Sequence, residues 1–264
     1  MLYGPAWQTE QRHWLPSPAM ASATLSTLTS HPLLWRGKQV SHHIPTLSTG
    51  HALLDEALPG GGWPLGAITE LVNDTNGCGE LSLLLPLLAR LSRGDHWISM
   101  IDPPWIPYPP ALHGHGLALE KLLLIRTQNR SESLWACEQV VRGISGGAML
   151  AWPDTPSFSE LRRLQLAAER TQKTVFLFQG SNAASTSSPA VLRLQLTADD
   201  GDLQVRVLKC RGQRPAASIR IRRSQLLQPL AAPRVSPGET GKNFGSPLQS
   251  QLHSLPISRM SVVS

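Results

Sequence analysis

Between residues 67 and 179, apolar runs of strand length alternate with segments of helical length, and this alternation constrains the fold more than any other feature. AITELV (67–72), HWISMID (96–102), GGAMLAW (146–152) and TVFLFQ (174–179) have the length and character of buried strands. LEKLLLIR (119–126) leads into a further short strand. ELSLLLPLLARLSR (80–93), SESLWACEQVVRGI (131–144) and SFSELRRLQLAAERTQ (157–172) have helical length. The first is apolar almost all round, as a buried helix is, and Pro86 within it deletes one backbone bond and predicts a kink. In the second, Leu134, Cys137, Val140 and Val141 recur at helical spacing, with Ser131 as the expected N-cap. An earlier helix places Leu53, Leu54, Ala57 and Leu58 on one face, and the turn PGGGWPLG (59–66) stops it. VLRLQLTADDGDLQVRVLKCRG (191–212) reads as two alternating strands around an Asp-Gly turn. The expected fold is α/β: a mostly parallel sheet flanked by helices, with an antiparallel edge hairpin.

The flanks differ from this core. Residues 1–44 are rich in Pro, Ser, Thr and His, with scattered Trp7, Trp14 and Trp35, and are expected to be irregular. His42 and His43 stand beside no acids or cysteines at ligand spacing, so no metal site is expected. Residues 224–264 carry Pro229, Pro233, Pro237, Pro247 and Pro256 and few large apolar side chains. Such a segment buries too little surface to offset its ordering entropy and is expected to be a disordered tail. The core domain is therefore placed at 45–223. Hydrophobic residues, 41% of the chain, suffice to fill it. No internal repeat is visible. The three cysteines, Cys78, Cys137 and Cys210, lie far apart, which excludes a disulfide scaffold or a cysteine zinc cluster and fits a reducing cytoplasm. No apolar stretch reaches membrane-spanning length and no secretory signal is visible, so a cytoplasmic protein without membrane contact is expected.

Charge is uneven. Residues 209–264 hold nine Lys/Arg against one acid, Glu239, a balance of +8, whereas residues 1–208 balance at −2. A solvated tail accounts for this, and so does contact with nucleic acid or an acidic partner surface. Arg206, Lys209, Arg211 and Arg214 cluster on and after the last core strand, and Arg220, Arg222 and Arg223 follow closely. These seven are the candidate DNA-binding residues, expected to grip phosphates weakly, without sequence preference and with strong salt dependence. Side chains alternate along a strand, so Arg206 and Lys209 are expected to point opposite ways. The loop 180–190 has no Lys, Arg or aromatic residue and offers nucleic acid neither charge nor a stacking platform.

Chemistry is sought in NDTNGCG (73–79), between strand 67–72 and helix 80–93. Strand, glycine loop and helix together form the setting of a phosphate-binding P-loop. There, backbone N–H groups and the helix dipole hold phosphates, a Lys reaches the terminal ones and Ser/Thr holds magnesium. Gly77 and Gly79 fit that setting, but Glu80 stands where the Lys belongs. At about 4 Å and an effective dielectric near 20, a unit-charge contact is worth about 4 kcal/mol, so reversing its sign matters. Glu80 is equally an ordinary favourable acid in a helix first turn. Both readings disfavour ATP, and no cofactor is expected.

LSTGHALLDEALPGGGWPLGAITEL (47–71) resembles the segment that leads into the P-loop of the RecA family. MIDPPWIP resembles the strand carrying that family's catalytic glutamate, GGAMLAWP its Walker B strand, LRRLQLAAE the helix after it, and VRVLKCRG its late basic strand. The ordered series, over about residues 45–215, carries the resemblance, which implies a RecA-like core. Against that pattern Glu80 replaces the Walker Lys, Pro104 falls at the catalytic Glu position and Trp152 at the Walker B Asp position. Three losses from the phosphoryl-transfer machinery imply a pseudo-ATPase and no enzyme activity. Within the superfamily, ALPGGGWPLGAITEL, GELSLLLPLLARLSR, DPPWIPYPPAL, LAWPDTPSFSELRRLQLAAE and VRVLKCRGQRP are most similar to the ImuA family. That resemblance implies an SOS-response accessory of error-prone translesion DNA synthesis. Its implied partners are an ImuB-type Y-family polymerase homologue and an error-prone C-family DNA polymerase, with DNA and RecA as further contacts. The alternative is a SulA-like cell-division inhibitor binding FtsZ, which shares the 79–91 helix but typically lacks the GGGWPLG lead-in and the basic ending. An active RecA-like ATPase is the third reading, opposed by the same three substitutions.

Overall fold

The computed structural model describes residues 44–143, 146–210 and 218–228, and the backbone of 261–263. All but Ile44 of the expected irregular segment 1–44 and most of the expected tail 224–264 lie outside the described residues, as do Arg211 and Arg214. The described residues fall within one compact unit, 43–264.

In chain order the elements are β1 (Thr46–Leu47), α1 (Ala52–Ala57), β2 (Trp63–Pro64), β3 (Ile68–Asn73), α2 (Glu80–Arg93), β4 (Ile98–Ile101) and α3 (Pro109–Gly114). They continue with β5 (Leu122–Arg126), α4 (Arg130–Gly143), β6 (Ala148–Ala151), α5 (Phe158–Thr171), β7 (Thr174–Gly180), β8 (Leu192–Asp199) and β9 (Asp202–Cys210). Last come β10 (Ile219–Ile221), α6 (Arg223–Leu226) and β11 (Ser261–Val263). Nine strands make one sheet, ordered β10-β9-β8-β3-β7-β6-β4-β5-β11. The six strands from β8 to β5 run parallel, and β9, β10 and β11 add antiparallel at the two edges. β1 and β2 form a separate antiparallel pair ahead of β3.

The sheet is mostly parallel because α2, α3, α4 and α5 bridge successive parallel strands and bury apolar side chains against it, while the β7–β8 crossover holds only a 3-10 turn. Leu83, Leu84, Leu87 and Leu88 of α2 pack with Leu71, Met100, Phe176 and Leu194 on one side of the sheet. Cys137, Val140 and Val141 of α4 and Leu161, Leu164 and Ala168 of α5 pack with Ile68, Met149, Val175 and Leu177 on the other. Trp63 is wholly buried, edge-on to Phe176 at 5.3 Å, so the glycine turn before it docks the β1–β2 pair against the core. Pro86 lies inside α2, and a Cβ on Gly50 would collide with it, so the Thr49-Gly50 turn needs glycine both for its φ of +85° and for space. α4 begins one residue earlier than expected, and Asn129, not Ser131, accepts the N–H of Glu132 at 3.0 Å. α5 opens with a full capping box between Ser157 and Glu160.

Candidate functional site: a glycine loop filled by Glu80

β3 delivers its C-terminal end to the loop 74–79, and α2 starts directly after it. Gly77 and Gly79 have φ of +89° and +107°, which turns their N–H groups toward a common point at the head of α2. The Glu80 carboxylate occupies that point. The Gly77 N–H donates to Oε1 at 2.7 Å and the Gly79 N–H to Oε2 at 3.0 Å. Glu80 is 5% exposed, so the side chain lies in the loop, not in solvent. A carboxylate here satisfies two backbone donors and sits at the positive end of a 14-residue helix. Burial and the neighbouring Glu80 charge push the Cys78 thiol up to about 12. The loop is further tied by Asn73, whose Nδ2 donates to the Thr75 carbonyl at 2.8 Å. Leu226 of α6 belongs to the same apolar cluster as α2, and its Cδ1 lies 3.4 Å from where a Cβ on Gly79 would be.

The other two substituted positions lie at neighbouring strand ends. Trp152 follows β6 and stacks on Phe178 of β7, with centroids 4.2 Å apart and planes 4° from parallel. Pro104 is exposed, beyond the end of β4. The acid closest to that strand end is Asp102, whose carboxylate accepts the Thr127 N–H and Oγ1–H at 2.7 Å each. It is thereby committed to joining the β4 and β5 ends. Among the described residues no three His, Cys, Asp or Glu side chains stand together as a metal site.

Of the seven candidate DNA-binding residues, Arg206, Lys209, Arg220, Arg222 and Arg223 lie among the described residues. Arg206 is exposed on β9. Lys209 Nζ donates to the Ser188 carbonyl at 2.6 Å. Arg220 pairs with Asp202 at 2.9 Å and Asp199 at 3.2 Å. The backbone N–H of Arg223 also donates to Asp202, and together with Arg220 it holds that carboxyl below the usual range. Arg222 precedes α6 and its N–H donates to Gln225. The expected alternation between Arg206 and Lys209 is overturned. A bulge breaks the register, pairing Arg193 with Lys209, Leu194 with Val207 and Gln195 with Arg206. Leu208 is the extra residue, so Arg206 and Lys209 share one face.

Sequence reasoning missed a buried polar network. Glu70 on β3, 0% exposed, accepts Arg193 Nε from β8 and the Ser188 hydroxyl. Arg193 in turn donates to the carbonyls of Thr186 and Ala183. The loop 181–190 is thus fastened to β3. The available signal was one acid in the apolar run AITELV and one base in VLRLQL.

No protein-family model matches the chain. Protein ImuA from two strains of Caulobacter vibrioides is 28% identical over 131 residues, 48% of this chain and 54% of the relative. Across just under half of its length, the chain is distantly related to ImuA. Protein RecA of Bacillus mycoides is 28% identical over 106 residues, 40% of this chain and 31% of that protein. The chain therefore spans about half the length of the ImuA proteins it matches. The mixed, mostly parallel sheet flanked by helices accords with a general RecA-like α/β arrangement. No helix among the described residues is long and apolar enough to cross a membrane.

Proposed function

We propose that the protein is a non-catalytic, RecA-like accessory factor of error-prone translesion DNA synthesis in the SOS response. It acts with an ImuB-type Y-family polymerase homologue and an error-prone C-family polymerase. The distant relation to ImuA and RecA supports the pathway. The observation that carries the non-catalytic part is the Glu80 carboxylate seated on the Gly77 and Gly79 amides. In a P-loop those amides face phosphate oxygens, and a negative side chain on them both fills the space and repels a second anion. Trp152, which the RecA resemblance aligns with the Walker B acid, stacks on Phe178 and supports the same reading. The core then serves as a scaffold for assembly.

The test is genetic and biochemical together. Deleting the gene abolishes the rise in mutation frequency after ultraviolet damage, and the wild-type gene and a Glu80→Gln variant both restore it. Tagged protein from damaged cells brings down the two polymerase-type partners. An unchanged mutation frequency in the deletion strain overturns the pathway reading. Co-purification with the division protein FtsZ in place of the polymerases supports the SulA-like alternative instead.

A further inference from the structure

β5 pairs on one side with β4, in parallel. Its other side carries β11, antiparallel, with Ser261 opposite Arg126, Val262 opposite Ile125 and Val263 opposite Leu124. The described residue before β11 is Gln228, just after α6, and α6 follows β10 at the opposite edge of the sheet. Nine strands at about 4.8 Å spacing put those edges roughly 40 Å apart. Residues 229–260 lie between, and at about 3.4 Å per residue they can reach ~100 Å, so the distance is within range. The two edges are also unlike. β10 is three residues long, with the exposed Arg220 at its centre and Arg222 just beyond it. A short, charged edge discourages another strand from adding. β5 has four successive apolar residues, no proline, and a charge only at Arg126. Without β11 it would present bare N–H and C=O groups to any extended chain.

We propose that the outer edge of β5 is a strand-addition site, kept filled in cis by this chain's own C-terminal strand, Ser261–Val263. Another extended segment gains the edge only by displacing that tethered strand. Three residues give few ladder bonds, each worth little net in water, and closing so long a tether costs entropy. The strand is therefore held loosely enough to exchange. The tether still supplies an effective concentration on the order of a millimolar, so a free strand in dilute solution loses to it. The sequence SVV carries neither charge nor proline, and the edge selects the same chemistry: an extended, uncharged polypeptide whose backbone completes the ladder. A nucleic acid has no such ladder to offer. A strand from a second copy is the same sequence without the tether, so pairing in cis prevails at low protein concentration. This inference stands on the sheet register and does not depend on the translesion reading.

The test compares the full chain with its Val262→Pro/Val263→Pro variant. Neighbouring N–H groups along a strand alternate in direction, so one of the two prolines removes a donor that faces β5. The variant is expected to melt within a few degrees of the parent. The β5 amides turned away from β4 are expected to exchange hydrogen at least 5-fold faster in it, with the β6 and β7 amides unchanged. The binding probe is a synthetic peptide of residues 257–264, ISRMSVVS, which is expected to bind the variant at least 5-fold more tightly than the parent. The same peptide with prolines at 262 and 263 is expected to bind neither. If the variant's melting point falls further, a chain lacking residues 261–264 takes its place with the same expectations. An exchange gain at β5 under 5-fold, a gain in peptide affinity under 5-fold, or no peptide binding to the variant overturns the proposal. Protection of β5 in the parent that is lost on dilution overturns it as well, because the strand then comes from a second copy.

Discussion

Lys173 immediately precedes β7, and its side chain is wholly buried, with no hydrogen-bond partner for Nζ among the described residues. Burial lowers its pKa from 10.5 to about 8. Between those values the unfolded chain binds more protons than the folded one, so stability rises with pH. The penalty is fully present below pH 8 and disappears as pH climbs toward 10.5; a shift of that size corresponds to about 3 kcal/mol. Lys173→Met is therefore expected to stabilise the fold by about 2–3 kcal/mol at pH 7 and to flatten the alkaline rise, as read by urea unfolding across pH 7–10. A variant no more stable than the parent at pH 7 contradicts this. The cysteines give a second check at the same scale. Burial raises the thiols of Cys78 and Cys137 to about 12, and that of Cys210 upward as well. Because the thiolate is the reactive form, all three should resist alkylation at pH 8 in the native protein and react together on unfolding. Fast labelling of Cys78 in the folded state would mean that Glu80 does not sit beside it.

At the scale of elements, the fastening of loop 181–190 to β3 is the arrangement most open to a stability measurement. Glu70 and Arg193 are both buried and face each other in the parallel β3–β8 register. Removing one partner strands the other charge, so Glu70→Ala or Arg193→Ala should cost about 3–5 kcal/mol. Replacing both, as in Glu70→Leu/Arg193→Met, should recover part of that loss. Either single variant should also expose residues 181–190 to protease ahead of the rest of the sheet, because Arg193 holds the Thr186 and Ala183 carbonyls. A cost under about 1 kcal/mol for both single variants would show that the pair does not hold the loop. The capping box of α5 offers a smaller control: Ser157→Ala should cost about 1 kcal/mol in the same assay.

For the whole molecule, the expected result is no ATP hydrolysis above background, with or without single-stranded DNA. Turnover of about 0.1 per second or faster would contradict it. Glu80→Lys alone should not create activity, since the RecA resemblance aligns Pro104 and Trp152 with the two remaining acids. Much of this architecture is written locally in the chain. The period of apolar residues marks β3, α2, β4, β6, α5, β7 and the β8–β9 hairpin, because each element must bury one face and its sequence records which. Glycine in the loop 74–79 and the acid at position 80 are legible for the same reason: turn geometry and charge are properties of single residues. The strand order was not legible, nor was the edge strand β11, since pairing joins segments far apart in the chain. The Leu208 bulge escaped a rule of strict alternation because nothing in LQVRVLKC distinguishes an extra residue from a regular one; only the partner strand fixes the register. Glu70 shows the same division. The sequence determined that an acid interrupts an apolar strand, but the fold alone brought Arg193, 123 residues later, against it. Composition and periodicity determine which faces are buried; which buried group meets which is decided when the sheet closes, because burial is additive along the chain while pairing is not.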